Sequence, residues 1–164
     1  IRDPETASIA VQAALTGHLV LATLHTNSAV AAVNRLRDMG VEDYLIGATV
    51  IGVMAQRLVR RLCAECARPE DPAVTAQLPQ GTFRAPAGCP ACRGTGYHGR
   101  TGVHEVLTVD PQIRAAILAR APESEIETMA RQAGMVTLRE DGIAKAAAGG
   151  VSLAEVLHLS HALE

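Results

Sequence analysis

Aromatic side chains are nearly absent: the 164 residues contain one Phe, two Tyr and no Trp. That argues against a platform of rings for stacking nucleic-acid bases. An excess of one charge is lacking too. Fifteen Lys and Arg face seventeen Asp and Glu, for a net charge of −2, so neither nucleic acid nor an acidic membrane is attracted in general. Long apolar runs are also missing. The run 45–55 falls short of the ~18 residues of a membrane span, and Arg57, Arg60 and Arg61 follow it.

Cysteine is scarce but concentrated. The only four form two tight pairs, Cys63-Ala-Glu-Cys66 and Cys89-Pro-Ala-Cys92, with 22 residues between them. A CxxC turn aims two thiolates at one point, and two such turns complete a tetrahedron around Zn²⁺. Four thiolates leave no open coordination position, so the expected role is structural. The complex is formally dianionic, and Arg60, Arg61, Arg68, Arg93 and Arg100 lie close enough in sequence to offset it. Unligated thiols and two redox-active dithiol pairs are the alternatives. Reduced CxxC pairs suit a cytosolic compartment better than a disulfide framework does.

The cysteine module divides the chain into 1–62, 63–100 and 101–164, and a chain of this length can bury roughly two thirds of its unfolded surface. Asp3-Pro4-Glu5 reads as a helix start and Gly17 as its end. Residues 18–25 form a short apolar run typical of a strand buried on both faces. Thr26, Asn27 and Ser28 offer caps for a helix through Met39, stopped by Gly40. A further helix is expected from about Tyr44 to Leu62. Five prolines and five glycines in 63–100 leave little room for regular structure there. A strand over 101–109 precedes helices beginning at Asp110-Pro111 and Pro122-Glu123, and capping boxes at Thr137–Glu140 and Ser152–Glu155 start two more.

Three further groups of residues offer chemistry. His25 stands at the C-terminal end of the expected strand, the edge at which open α/β sheets bind ligands, with His18, Thr23, Thr26 and Asn27 nearby. An imidazole there can donate to a phosphate. It can equally be satisfied by neighbouring backbone. Arg2 and Asp3, with Glu5, can manage a phosphate and Mg²⁺ or merely cap a helix. Arg57 and Arg60 in Gln56-Arg-Leu-Val-Arg60-Arg61 suit phosphates, a neighbouring subunit, or a solvated face.

Taken in order, Ile1-Arg-Asp-Pro-Glu-Thr-Ala7, Thr16-Gly-His-Leu-Val-Leu-Ala-Thr-Leu-His-Thr-Asn27, Ala55-Gln-Arg-Leu-Val-Arg60, the two CxxC pairs and Gly96-Tyr-His-Gly-Arg-Thr-Gly102 resemble the C-terminal part of a secretion-superfamily traffic ATPase. The likeness is to the type II secretion ATPase and the type IV pilus assembly ATPase, and it covers essentially the whole chain. It implies an α/β fold: the C-terminal portion of a RecA-like P-loop NTPase domain, with an inserted Cys₄ zinc module and a helical C-terminal region. It also implies a hexamer that hydrolyses ATP with Mg²⁺ and drives assembly of pilin-like fibres. Such a motor would be cytoplasmic, at the inner-membrane face, docked on secretion or pilus platform components.

By the same resemblance, Ile1 to Ala7 match the segment after the Walker B motif, and His18 and His25 match the histidine box near the nucleotide phosphates. Cys63, Cys66, Cys89 and Cys92 match the tetracysteine zinc motif of the secretion and pilus-assembly branches, which retraction motors generally lack. His25, Arg2, Asp3 and His18 are thus the expected catalytic-site residues, Arg57 and Arg60 the expected nucleotide contacts, and the four cysteines the zinc ligands. The chain opens on Ile rather than Met and in the middle of a motif, so it is expected to be part of a longer protein. It contains no GxxxxGK[ST] phosphate loop, and the family's catalytic Glu would precede Ile1. These residues alone are expected to leave ATP unhydrolysed. A non-enzymatic zinc-binding interaction module and a thiol oxidoreductase are the readings from other classes.

Overall fold

The computed structural model describes residues 1–161. In chain order it contains α1 (Pro4–Leu15), α2 (Ala31–Asp38), α3 (Asp43–Thr49), β1 (Gly52–Leu62), β2 (Arg68–Pro69), α4 (Pro72–Thr75), β3 (Arg84–Ala85), β4 (Tyr97–Thr108), α5 (Pro111–Leu118), α6 (Glu123–Gln132), α7 (Leu138–Ala147) and α8 (Leu153–His161). The chain forms two compact units, one of Ile1–Ala55 and Glu105–Val136, the other of Gln56–His104 and Thr137 onward.

In the first unit the helix starts follow the local chemistry. The Asp3 carboxylate accepts from Thr6 N at 2.8 Å with Pro4 in the first turn of α1, and Asp110 accepts from Ile113 N at 2.8 Å at the start of α5. Ser28 Oγ accepts from Ala31 N at 3.0 Å ahead of α2. Val33, Leu36 and neighbouring Ala29, Val30 and Ala32 are buried, a stripe at helical spacing. Gly40, at φ +81°, then turns the chain out of the helix. The centre of this unit is Ile46, Leu107, Ile113, Ile117 and Ile126, each less than 2% exposed. Asp43, also buried, joins Arg37 Nε at 2.6 Å and Arg120 Nε at 2.5 Å. Those guanidiniums hold its carboxyl below the usual range although burial opposes this.

Two expected elements differ. Residues 18–25 are not a strand buried on both faces: they form no regular element, and Leu19 and Leu21 are 75% and 89% exposed. A buried strand needs a neighbour along its edges and cover on its faces, and no strand pairs with this run among the described residues. Ile9 and Ala13 of α1 line an open apolar depression together with Val20 and Leu21. The expected helix 44–62 stops at Thr49, and Gly52–Leu62 is β1. Along β1 Val53, Ala55, Arg57 and Val59 are partly or fully buried while Met54, Gln56, Leu58 and Arg60 are exposed. That alternation is the period of a strand. The partner is β4, with Ile51 O accepting from Val109 N at one end and Gly96 O from Cys63 N at the other, so the two run antiparallel. This long pairing outweighs the helix-compatible apolar pattern. β4 itself begins at Tyr97, earlier than the strand expected from 101.

The second unit is loop-rich over the cysteine module, as its prolines and glycines suggest. β2 and β3 pair over two residues only. Phe83, the one phenylalanine, packs on Ala146 and Val156, flanked by Leu78, Ile143 and Ala147. This small core ties the module to α7 and α8. Thr137 and Glu140 complete a reciprocal capping box on α7. At α8 Ser152 Oγ accepts from Glu155 N at 3.4 Å, but the Glu155 carboxylate turns to Arg60, accepting from its Nε, Nη2 and backbone N.

Candidate metal centre and histidine segment

Cys63 follows the last residue of β1, and Cys89 and Cys92 lie in the turn before β4. The antiparallel pairing therefore carries both CxxC turns to the same end of the strands. Each turn is closed by its own backbone: Ala67 N donates to Cys63 O at 3.0 Å and Gly94 N to Cys89 O at 2.8 Å. Gly88 and Gly96 have φ of +94° and +78°, and a Cβ would meet Gly94 O at 2.6 Å in one and Pro86 Cβ at 2.4 Å in the other. Both positions need glycine for conformation and for space.

The ligand atoms of Cys63, Cys66, Cys89 and Cys92 all lie within 4.8 Å of one another. Sγ separations are 3.9 Å for Cys63–Cys89, 3.8 Å for Cys66–Cys92 and 3.7 Å for Cys89–Cys92. A Zn–S bond of ~2.3 Å gives a tetrahedral edge of about 3.8 Å, so the four thiols are positioned to bind a metal ion. Cys63 and Cys92 are buried and Cys66 and Cys89 partly so. Burial raises the Cys92 thiol, but the amides of Cys89 and Gly96, at 3.2 and 3.1 Å from its sulfur, outweigh it and bring the group down to about 6. Burial, with the neighbouring cysteines, pushes Cys66 up to about 11. A cation bound by these thiols would displace their protons.

Arg60 lies beside this module. Its guanidinium stands 4.1 Å from the centroid of the Tyr97 ring and bonds Glu155 Oε1 at 2.6 Å. Tyr97 Oη lies 2.9 Å from Ser152 Oγ. Arg57 is half-buried, with Nη1 donating to Gln56 O at 3.1 Å.

The histidine segment belongs to the first unit. His18 and His25 are both exposed. His18 Nδ1 lies 3.0 Å from Thr16 Oγ1. The Ile1 nitrogen donates to Thr23 O at 2.6 Å, which brings the Arg2-Asp3 junction alongside the run leading to His25. The Asp3 carboxylate is spent on the helix cap, accepting from Thr6 N and, at 3.0 Å, Thr6 Oγ1. These bonds hold it below the ordinary carboxylate range.

Sequence reasoning missed what fastens the turn after His25. Glu105, only 5% exposed, accepts from Ala29 N at 2.7 Å. Glu123 accepts from Ser28 Oγ at 3.3 Å and Asn34 Nδ2 at 3.0 Å. One signal was available: Glu105 shares the inward phase of β4 with Val103 and Leu107. A carboxylate in that phase needs a donor.

The fold is that of the C-terminal portion of a RecA-like P-loop NTPase. The pilus retraction motor PilT with bound ADP matches 97% of this chain and 37% of its own at a TM-score of 0.66 and 22% identity. The ATPase DotB of Legionella pneumophila matches 99% and 37% at 0.67 and 22%. Residues 1–158 match the family described as Type II/IV secretion system protein, and the chain belongs to that family. It is 53% identical over 160 residues to Type II secretion system protein HxcR of Pseudomonas aeruginosa, covering 98% of this chain and 32% of that protein. To the type IV pilus assembly ATPase PilB of Thermus thermophilus it is 50% identical over 166 residues, covering 96% and 19%. The chain thus spans a third or less of the length of these curated relatives.

Proposed function

We propose that this chain is the C-terminal part of an ATP-driven motor of type II secretion or type IV pilus assembly. The observation that carries the reading is family membership across residues 1–158 joined to a four-thiol cluster of tetrahedral size. The motor would work as a hexamer at the cytoplasmic face of the inner membrane, against platform components of the fibre machinery. Among the described residues no helix is long and apolar enough to cross a membrane. ATP, Mg²⁺ and the phosphate loop would come from outside these 164 residues.

Within that motor, His25 is proposed to sense the γ-phosphate, with Arg2, Asp3 and His18 ordering the same edge. Phosphoryl transfer depends on positioning and charge compensation more than on covalent chemistry, and an exposed imidazole is available for contact. Arg57 is the proposed phosphate or subunit contact. Arg60 would join it only by leaving Glu155. The division 1–62, 63–100 and 101–164 is proposed as core, zinc module and C-terminal region. The metal is proposed to be Zn²⁺, which would supply folding energy to a segment with little apolar burial of its own. The thiolate-only donor set favours it.

In the full-length protein, His25→Ala should lower ATP turnover by about a hundredfold and stop secretion or piliation while the hexamer persists. A variant that keeps both activities would remove the assignment. The second reading, a zinc-stabilised interaction module without catalysis, is favoured by the cluster alone. It predicts that the full-length protein turns over no ATP.

A further inference from the structure

We propose that Glu105 is a positioning residue for the His25 segment, acting from β4 through the backbone of Ala29. The inference rests on the motor reading for its functional consequence, but the anchor itself stands on geometry. Bonds within the turn and from two other elements hold the stretch between His25 and α2. Thr26 Oγ1 donates to Ser28 O at 3.0 Å within the turn. Glu123 grips the Ser28 hydroxyl from α6. Glu105, only 5% exposed, takes the Ala29 amide at 2.7 Å.

Of these, Glu105 is the strongest fastening. A carboxylate accepting a backbone N–H in a buried setting makes a charge-assisted bond, and losing it strands a buried amide. The Ser28–Glu123 contact is longer, at 3.3 Å. Residues 18–25 make no ladder among the described residues, and on that side Thr23 O accepts from the Ile1 nitrogen at 2.6 Å. On its C-terminal side the position of His25 is set by a residue 76 positions beyond Ala29 and past the whole cysteine module. A residue placed this way touches no substrate. It limits how far the imidazole four residues earlier can wander, and misplacement by about 1 Å can cost a hundredfold in rate.

The test has two arms. In the 164-residue chain, amide hydrogen exchange is followed for residues 26–31 in the parent, Glu105→Ala and Glu105→Gln. Glu105→Ala should speed exchange there at least about tenfold, with α3 and α5 unchanged. Glu105→Gln, which keeps an acceptor oxygen, should restore most of the protection. Unchanged exchange in Glu105→Ala, or equal loss in both variants, would overturn the anchor whatever the protein does. In the full-length protein, Glu105→Ala should lower kcat by about ten- to a hundredfold with KM for ATP within about twofold. Glu105→Gln should again recover, and adding Glu105→Ala to His25→Ala should cost nothing further. An unaltered kcat for Glu105→Ala beside an impaired His25→Ala would sink the positioning role alone. An unaltered kcat for His25→Ala would sink the reading of His25, and the positioning role with it.

Discussion

The two candidate sites are held in opposite ways. In the second unit, four sulfurs converge through contacts made mostly within each turn: two residues between paired cysteines, amides donating to the Cys92 sulfur, and glycines where a Cβ will not fit. In the first, the His25 segment is exposed, lacks a ladder, and is fastened by carboxylates 76 and 95 positions away. The metal centre assembles from its own residues once β1 and β4 pair. The histidine segment depends on what packs around it.

The largest effect should come from the metal. Cys89→Ser, or removal of metal by a chelator, should leave the cluster without the proposed metal ion, deprotect residues 63–96 to hydrogen exchange and lower Tm by about 10 °C or more. Full zinc content with unchanged Tm in Cys89→Ser would break the contrast at its stronger pole.

Apolar truncations should separate covered from uncovered parts of the first unit. Leu107→Ala, at a fully buried position, should cost about 2–5 kcal/mol by denaturant titration. Leu21→Ala, at 89% exposed, should stay within about 0.5 kcal/mol. Comparable losses would show that the 18–25 run is packed in solution.

A smaller loss than that of Leu107→Ala is expected from a pH-dependent group. The Asp43 carboxyl lies below its ordinary 3.8 in the folded chain, because Arg120 and Arg37 outweigh the burial that opposes them. Its contribution is therefore present above about pH 4 and lost as pH falls through the depressed value. Arg120 is 74% exposed, so solvent screening limits the figure, and Asp43→Asn should cost about 1–3 kcal/mol at pH 7. The variant should also lose less stability than the parent between pH 4 and 2. A parallel loss in both would show that the Asp43 cluster is not a source of acid sensitivity.

These contrasts mirror what could be read from residues alone. Asp3, Asp110 and Thr137 announced their helices because a cap is completed within three residues. Gly40 ended α2 for the same short-range reason. β1 was misread as helix because Val50, Ile51, Val53 and Met54 are apolar on either period, and the partner that decides the matter lies more than forty residues on. The run 18–25 has a buried strand's composition, yet composition cannot supply the neighbours that bury it. The reciprocal cap at Ser152 is half made because Glu155 found Arg60 instead.

By itself, then, the order of residues determined the helix starts, the two CxxC turns, their glycines and the ordered motifs of the family. Each depends on geometry within a few bonds or on residue identity. Only the tertiary structure decided that β1 pairs with β4 and carries both cysteine pairs to one end of the strands. It alone left Leu19 and Leu21 uncovered and turned Glu105 inward to hold Ala29. Those outcomes depend on which distant group satisfies a backbone ladder, an apolar face or a buried carboxylate, and that choice is made by packing.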